Sequence, residues 1–175
     1  MTTKTVACND TAIRNLCEVL QQMQQLHNDL AVTIDSKVKA MRLAEMDILH
    51  QVRESEQQLI KRINDAEGAR RLLMDRLGEE IGMAPRTGRV MTVSQLTNRI
   101  EAEQGEAVRA AAEGLRLAVT EVARSNRLAG IVSRELVNHL QRVWAAARPL
   151  EKRDVYRHDG RTDYHNDNPL FDTLG

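Results

Sequence analysis

Apolar side chains recur at Ile13, Leu16, Leu20, Met23, Leu26, Leu30, Ile34, Val38 and Met41, with polar residues filling most of the intervals. Steps of three and four put these positions on one face of a helix, and Asp10 or Thr11 stands where its N-cap is expected. The phase is disturbed between Arg42 and Asp47, which predicts a turn, and resumes through Ile48, Val52, Leu59, Ile63, Ala66, Leu73 and Leu77. Gly78 and Gly82 read as stop signals for this second helix. Residues 82–91, with breakers Pro85 and Gly88, predict a loop. Thr92 or Ser94 can cap a third pattern through Leu96, Ile100, Ala111, Leu115, Ala118, Val122, Ala129, Val132, Leu136, Leu140 and Val143, which must end before Pro149. Unbroken, this pattern would span about 80 Å, and Gly105, Gly114 and the stretch from Ser125 to Gly130 are where a bend or break is expected. The fold class is all-α: an antiparallel bundle of three long helices over residues 1–150, or four if the last divides. Residues 151–175 lose the helical period, gain Asp, Asn, Gly and Pro, and are expected to be a polar, irregular tail.

Composition sharpens this picture. Residues 1–143 contain no Phe, Tyr or Trp, and Trp144, Tyr156, Tyr164 and Phe171 all follow them. A core of Leu, Ile, Val, Met and Ala suits thin helices packed lengthwise, since no wide interior needs aromatic bulk. The formal net charge is zero, which argues against an electrostatic grip on nucleic acid or an anionic membrane. No apolar run reaches the ~18 residues of a membrane span, and the opening residues lack the apolar core of a signal peptide, so a cytoplasmic location without membrane insertion is expected.

Candidate chemistry is sparse. Cys8 and Cys17 stand without a CxxC or a Cys/His set, and read as free thiols. His158, Asp159, Asp163, His165 and Asp167 are metal-ligand types, but a tail segment does not preorganise a site, so no metal is expected. His27 and His139 lie on or beside apolar stripes, as satisfied interface histidines do, and His50 is on neither face clearly. Phosphate-loop, GxSxG and HExxH motifs are missing. An enzyme is not expected.

The last helix holds the most informative feature. Advancing about 100° per residue from Leu128, the positions Ile131, Val132, Leu136, Val137, Leu140, Val143 and Trp144 complete an apolar arc about 240° wide, where a rim helix needs a stripe of only about 100°. Two readings are open. The helix sits centrally among others, or one side packs on the bundle while the other receives an amphipathic helix from a partner. A self-associating coiled-coil scaffold is a further alternative, although Lys37, Gln51 and Ser55 interrupt the heptad register begun at Ile13.

The order of these elements resembles the FlgN family of flagellar type III export chaperones. The resemblance is carried by Leu-Gln-Gln-Met-Gln-Gln-Leu-His-Asn-Asp-Leu from Leu20 to Leu30, by Asp47-Ile48-Leu49, and by Glu-Gly-Ala-Arg-Arg-Leu-Leu from Glu67 to Leu73. Asn126 in the last helix and Tyr156 with Gly160 after Pro149 add to it, as does Leu-Phe-Asp from Leu170 to Asp172. The chain departs from the family at Ala123, where an asparagine is common, and at Arg157, where glycine commonly follows the tyrosine. The resemblance implies a chaperone that binds the C-terminal helical segment of hook-filament junction proteins and presents them to a membrane protein of the export gate. It implies client binding by the last helix, export-gate docking by Tyr156, and no nucleotide, metal or small-molecule substrate.

Overall fold

In the computed structural model, residues 9–83 and 91–147 are described. They form four helices: α1 (Asp10–Leu43), α2 (Met46–Glu80), the short α3 (Val93–Thr97) and α4 (Ala102–Ala147). No strand occurs among the described residues. The chain divides into two compact units, Met1–Val137 and Asn138–Gly175. The expected change to an irregular tail after residue 150 lies outside the described residues.

In the first unit α1 and α2 form an antiparallel hairpin. Near its open end Ile13, Leu16 and Leu20 pack with Met74, Leu77 and Ile81. Midway, Met23 and Leu26 meet Ala66. Near the turn the Lys37 ammonium holds both carboxylate oxygens of Glu56, at 2.8 and 2.7 Å, so one residue that breaks the apolar register of α1 ties the two helices together. The stretch of α4 in this unit runs parallel to α1, since Val108 and Ala111 join the cluster of Ile13 and Leu16 while Ala129 and Val132 join Leu30, Ile34 and Val38. The bundle is therefore antiparallel at α1–α2 and parallel at α1–α4.

Helix ends show how local chemistry stops each element. The α1 cap is Asn9, whose side chain accepts the Thr11 amide at 3.0 Å; Asp10 and Thr11, the two expected caps, stand in the first turn, where the Asp10 carboxylate meets the positive end of the helix. The expected turn falls at Ala44 and Glu45. There the Glu45 amide donates to the Ala40 carbonyl at 3.0 Å and the Ala44 amide to Met41 at 3.4 Å, the paired bonds of a Schellman motif. Ala44 takes the left-handed conformation this needs, with φ 56°, where a Cβ is strained. Ala44→Gly is expected to raise stability by about 0.5–1 kcal/mol, the relief of strain being partly offset by the greater freedom of glycine in the unfolded chain; urea unfolding measures it. The same motif closes α2, with Gly82 at φ 69° and the Met83 amide on the Gly78 carbonyl at 2.7 Å. Gly78 itself stays helical and buried, so only the second of the two expected stop signals acts. Pro85 and Gly88 of the expected loop lie outside the described residues.

The third pattern does begin at Thr92, through a capping box in which Gln95 Oε1 accepts the Thr92 amide at 2.9 Å and Thr92 Oγ1 accepts the Gln95 amide at 3.3 Å. It then breaks after Thr97, ahead of all three expected weak points, and α4 runs unbroken through Gly105, Gly114 and the stretch from Ser125 to Gly130. The break lets Met91, Leu96 and Ile100 close over the open end of the hairpin, in the cluster of Ile13 and Leu77. Gly105 is a packing position: a Cβ there would stand 3.1 Å from the Thr97 carbonyl oxygen. What read as a helix breaker is the seat on which the short helix rests.

Candidate functional site

The apolar arc of α4 resolves into residues of different environments. In the first unit Val132 is only 7% exposed and packs, with Ala129, against Leu30, Ile34 and Val38. Val132 was expected on the client-binding strip, and its side chain is in the core instead, because position 132 continues the seam of Val108, Ala111, Ala118, Ser125 and Ala129 that faces the hairpin. Leu136 is half-buried. Leu128, Ile131 and Val137 are exposed. In the second unit the described residues are the last turns of α4, and there Leu140, Val143 and Trp144 are exposed, Trp144 to 75%. Every residue from Val137 to Ala147 is exposed. Helices fold this way when one apolar side meets a neighbouring helix and another is left to water.

Tyr156, the expected docking residue, lies outside the described residues, as do the histidines and aspartates of the tail. Among the described residues no group of three or more His, Cys, Asp or Glu is placed to hold a metal ion. The half-buried His27 donates from Nδ1 to the Met23 carbonyl at 2.7 Å, one turn earlier in its own helix, while His50 and His139 are exposed. Burial, with Glu18 adjoining, pushes the Cys17 thiol up from its ordinary value, which disfavours the nucleophilic thiolate. Glu67 accepts from Arg70 at 2.7 Å and from Arg71 at 2.9 Å, and these bonds, that of Arg70 foremost, lower its carboxyl to about 2. All three residues lie on α2, within one turn, so this cluster is a charged helix face. No helix among the described residues is long and apolar enough to cross a membrane.

A second feature was not anticipated. Between α1 and α4 of the first unit lies a groove of about 500 Å³, lined from α1 by Asp35, Val38, Lys39 and Arg42 and from α4 by residues between Glu121 and Ile131. The spacing of Asp35, Val38, Lys39 and Arg42 shows that they share a face. That α4 would lie beside them could not be read from the same spacing.

Long amphipathic helices with exposed apolar residues on the last of them are the features of a helical protein that binds other proteins through apolar surface. The particular family follows from comparison: the family model described as FlgN protein matches residues 12–163, and the chain belongs to the FlgN family. It is thus a flagellar export chaperone, of a family that binds flagellar substrate proteins and is not enzymatic. No curated protein and no solved structure matched.

Proposed function

We propose that this chaperone acts in the cytoplasm, binds the C-terminal helical segment of hook-filament junction proteins through the exposed apolar residues of α4, and delivers them to the export gate. The observation that carries the reading is that apolar residues of α4 stand exposed in a chain of this family: Leu128, Ile131 and Val137 in the first unit, and Leu140, Val143 and Trp144 in the second, with Leu136 half-buried. Val132 takes no part in this reading. A client end that forms helical coiled coil once assembled exposes an apolar stripe while monomeric, and an apolar helix face can cover it. Self-association as a coiled-coil scaffold is less well supported. The stripe of α1 that such a scaffold would share is buried within the chain at Ile13, Leu16, Leu20, Leu26, Ile34 and Val38.

Tyr156 is assigned a later step, docking at the gate membrane protein. It stands beyond Pro149 in a polar stretch, and an aromatic ring with a hydroxyl is a frequent contact residue at interfaces. Tyr156→Ala is expected to keep client affinity within about threefold, under ~0.7 kcal/mol, while client secretion from cells falls. The test co-purifies chaperone and client from a flagellated host, identifies the bound protein, and compares its export with the wild type and the variant. Equal loss of capture and export would move Tyr156 to the client site. Failure of the wild type to retain any junction protein would sink the whole reading.

A further inference from the structure

We infer that the groove between α1 and α4 receives an acidic amphipathic helix, the client's apolar stripe flanked by Asp and Glu. This rests on the capture reading above and adds to it a charge preference and a second wall, α1, facing Leu128 and Ile131. Val38, Leu128 and Ile131 give the groove its apolar lining, and cations stand on both helices, Lys39 and Arg42 on α1, Arg124 and Arg127 on α4. Only Asp35 and Glu121 oppose them. Glu121 engages Arg124 loosely, at 3.5 Å; Lys39, Arg42 and Arg127 enter no ion pair among the described residues. A chain whose charges sum to zero thus gathers four cations against two anions in this one groove.

The geometry points to a helix as the occupant. The two walls are parallel helices, and ridges of a third fit the furrow between them. From Glu121 to Ile131 the α4 wall is about 15 Å long, room for about three turns. An extended segment would find no sheet edge to satisfy its backbone, whereas a helix satisfies its own. Acidic flanks would meet the unpaired cations on both walls, and such complementary charge acts chiefly on selection and encounter rate.

The test uses the full chain and two labelled synthetic helical peptides of about 14 residues. They share one Leu/Ile/Val face and carry either Glu or Lys at every flanking position. Fluorescence anisotropy at about 50 mM salt should show the Glu peptide binding at least about tenfold tighter, and the gap should close at about 500 mM, where charges are screened. Arg42→Glu with Arg127→Glu should erase or invert the preference, and Lys39→Glu should weaken it; all three side chains are exposed, and circular dichroism checks that the helices persist. Equal affinities for the two peptides, or a preference untouched by the double variant, would overturn the inference. So would sedimentation showing self-association relieved by that variant, which would give the groove to a second copy. The outcomes separate the two proposals. A client lost with Trp144→Glu yet indifferent to the groove reversal leaves capture standing and removes the groove. An acidic preference beside a client indifferent to Trp144→Glu does the opposite.

Discussion

Trp144→Glu is expected to abolish client capture while the helical melt stays within about two degrees of wild type. The ring is the largest apolar side chain on α4 and is 75% exposed, so little folding free energy rests on it. At an interface the same ring would be covered, and a central tryptophan commonly contributes 2 kcal/mol or more, about thirtyfold in affinity. Glutamate removes that contact and sets a charge into apolar surroundings, at a further cost of several kcal/mol. Trp144→Lys should behave alike, which separates loss of the ring from the unfavourable meeting of a carboxylate with the negative end of the helix. Val137→Glu, at a position 52% exposed, should follow the same pattern. Calorimetry of binding paired with thermal melts decides it: retained affinity would remove α4 from the client site, and a large loss of stability would mean that Trp144 is covered within the chain.

Val132→Glu should do the reverse, lowering stability by about 4 kcal/mol and the melting temperature by about 10 °C. Its side chain packs with Leu30, Ile34, Val38 and Ala129, so a carboxylate would be set among apolar side chains. Val132→Ala leaves a cavity without a charge and should cost about 2 kcal/mol. A wild-type melt for Val132→Glu would show that the parallel packing of α1 and α4 does not form. Val132 and neighbouring Ile131, both in the apolar arc, are thus expected to answer in opposite ways to the same substitution, Ile131 through binding and Val132 through folding.

Much of this molecule is legible in the chain. The stripe from Ile13 to Val38 is buried as its spacing predicts, because a period of three and four states which residues of a helix can be covered at once. A turn between Arg42 and Asp47 and a cap at Thr92 or Ser94 were readable too, and the structure sets them at Ala44 and Thr92, since both are local arrangements of a few consecutive residues. The missing aromatics implied thin helices, and the ordered sequence pieces implied the FlgN family, which the match over residues 12–163 shows.

What the sequence by itself determined is therefore the set of helices, most of their buried faces and the family. Tertiary structure alone decided where the third pattern breaks, that Gly105 is a seat for the Thr97 carbonyl, and which side of α4 enters the core. An arc about 240° wide offers two apolar sides of equal merit, and nothing in a single helix distinguishes Val132 from Ile131. The neighbours do: α1 presents Leu30, Ile34 and Val38 to one side, and the other keeps its exposed residues. The basic groove arises in the same way, since Lys39 and Arg42 lie more than 80 positions from Arg124 and Arg127 in the chain. Periodicity belongs to one helix, whereas a groove belongs to two, and only their packing brings its charges together.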